Sequence, residues 1–247
     1  MKKTIIALPT TVATLLSFGV MAHGNVDVSK GSQIEVFTAF EDEANHGKTK
    51  TEQSYGFEAI YMNAHGTFVY AEAEAGDHEF YQVGVGHYMN VTDDVGLFVY
   101  GSYADGGVGD QEVRARVGTD YQVIGDLTLS ARVGYDHGTS SMDKSSYQTG
   151  HSHGHAHNTY KSQVGRVDLG FSYELMHMAE LSFNYVNQKQ FEDGLNNDRD
   201  VNRHYEARVS YVETAIQPYV EFRNTTASFI ADHYEEQAFQ FGVSYAF

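Results

Sequence analysis

The sequence predicts an all-β protein, a single antiparallel β-barrel that crosses a membrane on about twelve strands, with ten or fourteen as the alternative counts. Three observations predict it. Apolar residues recur at every second position through nearly the whole chain, the period of a strand with two unlike faces. Aromatic residues collect at both ends of the apolar face while its middle is aliphatic or small. The connections sort by length, short alternating with long, as in barrels whose turns face one side of a membrane and whose loops face the other.

The N-terminus reads as a leader. "MKKTIIALPTTVATLLSFGVMA" places Lys2 and Lys3 before an apolar run without acid and closes on Val20, Met21 and Ala22. That is a charged region, an apolar region and a small-residue cleavage site. The expected domains are a signal peptide over 1–22 and one barrel over 23–247. Losing two lysines and no acid takes the formal charge from −17 to −19. Cysteine is absent, so neither a disulfide framework nor thiol chemistry is available. Past residue 22 no apolar run approaches the ~20 residues of a spanning helix. So acidic a chain offers no basic face for nucleic acid.

The strands follow in order. "SQIEVFTAF" (32–40), "QSYGFEAIYM" (53–62), "TFVYAEAEA" (67–75), "EFYQVGVGHYM" (79–89), "VGLFVYGSYA" (95–104), "QEVRARVGTDYQV" (111–123) and "LTLSARVGYD" (127–136) precede a histidine-rich stretch. "SQVGRVDLGFSYE" (162–174), "AELSFNYVNQ" (179–188), "RHYEARVSYV" (203–212), "PYVEFRN" (218–224) and the terminal "AFQFGVSYAF" follow it. The intervals 63–66, 90–94, 124–126, 175–178 and 214–217 read as short turns. Those at 41–51, 105–110, 191–201 and 225–236, with the tract after Asp136, read as longer loops.

Alternation alone suits a soluble barrel as well as a membrane one, since each has two faces. The aromatics decide. Phe40, Tyr55, Tyr81, Tyr103, Tyr135, Tyr185, Tyr205 and Phe239 fall at one rim, and Tyr61, Tyr121, Tyr173, Tyr211 and Phe247 at the other. Between them lie Ala59, Val83, Val99, Ala115, Ala131, Leu169, Val209 and Val243. A tyrosine at a membrane boundary keeps its ring in lipid and its hydroxyl among headgroups.

The opposite face points inward and carries the charge. Glu35, Glu58, Glu72 and Glu74 lie on the first three strands, where there is no arginine. Arg114, Arg116, Arg132, Arg166, Arg208 and Arg223 lie inward on later strands, six of the eight arginines in the chain. Membrane physics alone explains that parity, because a basic residue on the lipid face costs up to ~2–4 kcal/mol at the midplane. The same residues would set up opposed charged tracks whose field orients polar solutes. Glu35, Glu58, Glu72 and the six arginines are therefore the candidate pore-lining residues. Inward glycines at 56, 84, 86, 96, 118, 134, 170 and 242 either widen the lumen or let the sheet bend. Phe37, Phe68, Tyr70, Phe98 and Tyr100 also face inward, either filling space or stacking on sugar rings.

Two further features carry possible chemistry. "GHSHGHAHN" (150–158) sets His151, His153, His155 and His157 at alternate positions among thirteen histidines in all. Imidazole ligates Zn, Ni or Cu, so this stretch is either a Zn or Ni site or a solvated polar loop. The pairs Asp77–His78, Asp136–His137 and Asp232–His233 lie near the outer rim. Neighbours in a strand point apart, no serine or second acid is placed beside them, and no catalytic residue is expected.

The leader, the even run of hairpins and the stripe ending Phe241, Val243, Tyr245, Phe247 resemble a bacterial outer-membrane β-barrel protein of Gram-negative cells. The resemblance implies that the stripe packs against lipid and is read by the barrel assembly machinery. A dozen strands in a short chain with inward arginines resembles, more narrowly, the small monomeric porins of the oligogalacturonate-specific family. Those porins use inward arginines for anionic sugars, and the excess of acid here departs from that pattern. The expected function is an outer-membrane porin passing small hydrophilic solutes passively, oligosaccharides among the candidates, without a cofactor. The alternatives are a structural or adhesive barrel working through its loops and a hydrolase with its site at the rim.

Overall fold

The computed structural model describes residues 30–45, 48–76, 79–107, 110–139, 142–143, 159–160, 163–191, 201–227 and 235–247. Its strands are β1 (Gln33–Asn45), β2 (Lys48–Met62), β3 (Thr67–Ala75), β4 (Phe80–Asn90), β5 (Val95–Gly107), β6 (Asp110–Ile124), β7 (Leu127–Gly138), β8 (Met142–Asp143), β9 (Thr159–Tyr160), β10 (Gln163–Leu175), β11 (Ala179–Gln190), β12 (Val201–Tyr211), β13 (Ile216–Ala227) and β14 (Glu235–Ala246). Twelve of them form a closed antiparallel meander, each hydrogen-bonded to its neighbours in sequence, with β1 closing on β14. The remaining two, β8 and β9, form a two-stranded ribbon between β7 and β10. Closure leaves the barrel sheet without a free edge. No helix among the described residues is long and apolar enough to cross a membrane.

The barrel is apolar outside and polar within. Val36, Val83, Val99, Val117, Leu169 and Val209 stand exposed on its outer surface, as do all five side chains of the terminal stripe. Buried inward positions are dominated by charged and amide side chains. A soluble barrel has the reverse arrangement, and this one suits a bilayer. Aromatic pairs band the outside near the rim away from the termini. Phe40 lies opposite Phe239, Tyr185 opposite Tyr205, and the rings of Tyr81 and Tyr103 are 6.4 Å apart.

The connections differ from the sequence reading at one end. The five short turns fall within two residues of the predicted intervals, but several expected loops are partly strand. β1 runs to Asn45 and β2 begins at Lys48, so most of 41–51 continues the hairpin. β5 and β6 extend likewise to Gly107 and from Asp110, and β13 and β14 to Ala227 and from Glu235. The reason is that main-chain pairing does not stop where the apolar belt stops. Glu41, Asp42 and Glu43 are polar, which reads as loop, yet their backbone still pairs with Glu52, Thr51 and Lys50.

Candidate functional site

Inward parity gathers the charged residues into one interior. Glu35, Glu58, Glu72, Arg114, Arg116, Arg132, Arg166 and Arg223 are all buried there. Arg208 faces the same interior and keeps about a quarter of its side chain exposed, at 27%. Register then decides who meets whom.

Every one of these six arginines is matched to acid. Arg114 holds Glu112 at 2.9 Å and donates to Gln82 at 2.6 Å, with its guanidinium over the Phe80 ring. Arg116 pairs with Asp136. Asp168 accepts from Arg132 at 2.5 Å through one oxygen and from Arg166 at 2.7 Å through the other. Arg223 lies 3.3 Å from Glu206 and 3.5 Å from Glu221. Arg208 reaches furthest, bonding Glu221 at 2.7 Å and Glu35 at 3.0 and 3.2 Å.

The Arg208 constellation braces the closing seam. Its guanidinium lies 3.9 Å from the centre of the Tyr219 ring. The Tyr219 hydroxyl donates to Glu35 and accepts from Gln240 at 2.7 Å. These groups come from β12, β13, β14 and β1, so the network spans both sides of the β1–β14 junction. Sequence reasoning passed over Tyr219, Gln240 and Gln82. Parity marks Tyr219, two residues before Glu221, but no local pattern announces its partner.

The first three strands differ. Glu35 lies directly opposite Glu58, and Glu58 directly opposite Glu72. Glu41 lies opposite Glu52, and Glu74 is the next inward residue after Glu72. Like charges placed opposite one another destabilise a sheet. This wall keeps them, and of its acids Glu35 is the one held by Arg208.

Several of the inward glycines make room for an aromatic ring on the neighbouring strand. A Cβ on Gly56 would lie 1.9 Å from the Phe37 ring, one on Gly84 2.2 Å from Tyr70, one on Gly118 2.2 Å from Phe98, and one on Gly242 2.4 Å from Tyr219. Each glycine is the cross-strand partner of the ring that covers it. The rings therefore lie along the wall instead of projecting to the axis. Phe68, Tyr70, Phe98 and Tyr100 pack with Ile60 into a buried cluster, which fills the β2–β5 side. Phe37 and Phe98 also border the open space.

A cavity of about 180 Å³ is lined by Glu35, Phe37, Glu58 and Phe98 together with Arg132, Arg208 and Arg223. Small polar side chains, Thr128, Ser130, Ser172, Ser182 and Ser210, complete much of the lining. Lys30 crosses the mouth at the terminal end to Glu180 at 2.5 Å. Carboxylates outnumber cations in the lining, since Asp120, Asp168, Glu180, Glu206 and Glu221 join Glu35 and Glu58 against Lys30 and three arginines.

The remaining candidates separate. Asp136 points inward to Arg116, while His137 lies against the outward Tyr135 ring, so this pair does not act as a unit. Asp77–His78, Asp232–His233 and the four histidines at 151, 153, 155 and 157 lie outside the described residues, as does the leader. Among the described residues no group of three or more His, Asp or Glu side chains is placed to hold a metal ion.

No family model matches the chain, and no curated protein matches it. Solved structures do. The NanC porin superposes with a TM-score of 0.70 at 13% identity, over 86% of this chain and 100% of that one. The KdgM porin gives 0.57 at 12% identity, over 85% and 99%. The translocator domain of the autotransporter NalP from Neisseria meningitidis gives 0.55 at 12% identity, over 88% and 89%. The chain therefore has the β-barrel fold that these porins share with an autotransporter translocator.

Proposed function

We propose that the protein is an outer-membrane porin that passes small hydrophilic solutes down their gradients and prefers neutral or cationic ones. The observation that carries this reading is the charge balance of the lumen. Its arginines are matched to carboxylates, while the β1–β3 wall bears further acid. An arginine already committed to an acid is a poor receptor for an anion. KdgM has been solved with a disordered oligogalacturonate, and an anionic solute of that kind fits the present lumen badly. The hydroxyls and amides along the cavity suit a hydroxylated solute that carries no negative charge. The outward apolar belt and terminal aromatic stripe support a place in the outer membrane, with lipid and the barrel assembly machinery as partners.

Reversal potential across a salt gradient in a planar bilayer tests this. The wild type should conduct with a cation preference at neutral pH. Arg114→Ala with Arg132→Ala should strengthen the preference, because Glu112 and Asp168 each lose a partner. Glu58→Gln with Glu72→Gln should weaken it. Raising salt should flatten all three, as the Debye length falls from about 10 Å at 0.1 M to about 3 Å at 1 M. Anion selectivity, or a potential indifferent to both double variants, overturns the reading. A barrel that never conducts points instead to a structural or adhesive role, which the likeness to a translocator domain also accommodates.

A further inference from the structure

We propose that the acidic face of β1–β3 is a binding station for a short diamine, a solute with two ammonium groups joined by a few methylenes. The inference deepens the channel reading by naming a solute class, and relies on it only for how the solute arrives.

The carboxylates form a grid. Glu35, Glu58 and Glu72 stand opposite one another on three adjacent strands, and Glu74 follows Glu72 on the same face. Neighbours on such a grid are about 5 Å apart across strands and about 6.7 Å apart along one. No three of them converge on a point as ligands of one ion, among the described residues. A bare metal ion would meet one or two of them, whereas two linked ammonium groups would meet several at their own spacing.

The grid calls for a cation because one member is left without hydrogen-bond partners. Glu74 is 5% exposed, and neither of its carboxylate oxygens has a hydrogen-bond partner. Glu72, Glu41 and Glu58 all act on it electrostatically. Arg223 also acts on it, but is already held by Glu206 and Glu221. The buried hydroxyl of Ser54 on β2 also lacks a partner. A buried carboxylate left unpaired is costly, and an ammonium group supplies both charge and hydrogen-bond donors.

The approach is also shaped for an alkyl spacer. Glu35 and Glu58 open onto the cavity, so an entering solute meets the grid there first. Phe37 and Phe98 border the same space. Their rings offer apolar surface to methylenes and a negative face to a cation.

The test is calorimetry of the folded, detergent-solubilised barrel with 1,4-diaminobutane, alongside magnesium and potassium at matched ionic strength. The diamine should bind, and Glu74→Gln and Glu58→Gln should each weaken it at least tenfold. Asp93→Asn, in an exposed turn, should leave it unchanged. Each glutamine variant keeps the size of the side chain and removes one acid from a row of acids, so both should fold. The same diamine should block single-channel current in the wild type and block it less in either variant. A conducting barrel that binds no diamine overturns the station. So does diamine binding indifferent to both variants, or magnesium binding as tightly as the diamine. Diamine binding by a barrel that does not conduct upholds the station and overturns the porin.

Discussion

At the scale of single residues, the lumen depends on what glycine omits. Phe98 lies over Gly118, its cross-strand partner, and a methyl group there would sit 2.2 Å from the ring. Gly118→Ala should push the Phe98 ring into the cavity it borders. Forcing a methyl group into a packed site costs typically ~1–3 kcal/mol, which a denaturant midpoint would record. Single-channel conductance should fall with it. An alanine variant with unchanged conductance would show that the ring does not border the conducting path. Arg208 illustrates the complementary case. Its guanidinium bonds Glu221 and Glu35 while lying over the Tyr219 ring, a planar, multi-donor role that a lysine ammonium does not reproduce.

At the scale of elements, the hairpins are held by local turn chemistry as well as by pairing. The turn between β10 and β11 places Met176 and His177 at positive φ, 53° and 59°, and Met178 N–H donates to the Leu175 carbonyl at 3.0 Å. Two successive left-handed residues match the twist of a hairpin, a place usually taken by Asn-Gly. His177 Nδ1 lies 2.7 Å from Glu174. Hydrogen bonding to Glu174 and its negative charge, with that of Asp126, hold the imidazole pKa above its ordinary value. The sign follows from that direction. The pair's contribution is fully present below the unfolded histidine value of about 6.5 and is lost as pH rises through the higher folded value. Both groups are well exposed, so the contribution is small. NMR titration should place His177 above an unperturbed histidine, and Glu174→Gln should bring it back. An identical titration in the variant would remove Glu174 as the cause.

At the scale of the whole molecule, closure is the decisive event, because β1 and β14 must find each other across the full chain. Their pairing runs from Gln33 with Ala246 to Ala44 with Glu235, and Phe247 adds its own N–H to the Ser32 carbonyl. Deleting Phe247 should therefore impair assembly while leaving export across the inner membrane intact. The measurement is the ratio of folded to unfolded barrel by gel mobility before and after boiling, with periplasmic accumulation of the rest. Wild-type levels of folded barrel in the deletion would detach the terminal residue from assembly.

The strand count, the inward set and the outward aromatic bands were legible in the residues, because side-chain alternation is a property of the local backbone. "RHYEARVSYV" shows His204, Glu206 and Arg208 on one face without any knowledge of a neighbour. Strand ends were less legible, since Glu41 to Asn45 are polar yet paired. What only the tertiary structure decided is who faces whom. Arg208 meets Glu35 173 residues away, Phe98 meets Gly118, and Glu35, Glu58 and Glu72 line up into a row of like charges. Those meetings depend on the register of each strand against the next and on the stagger accumulated around a closed barrel. Alternation repeats every two residues and is blind to a slide of two, so parity could assign each side chain to a face but not to a partner.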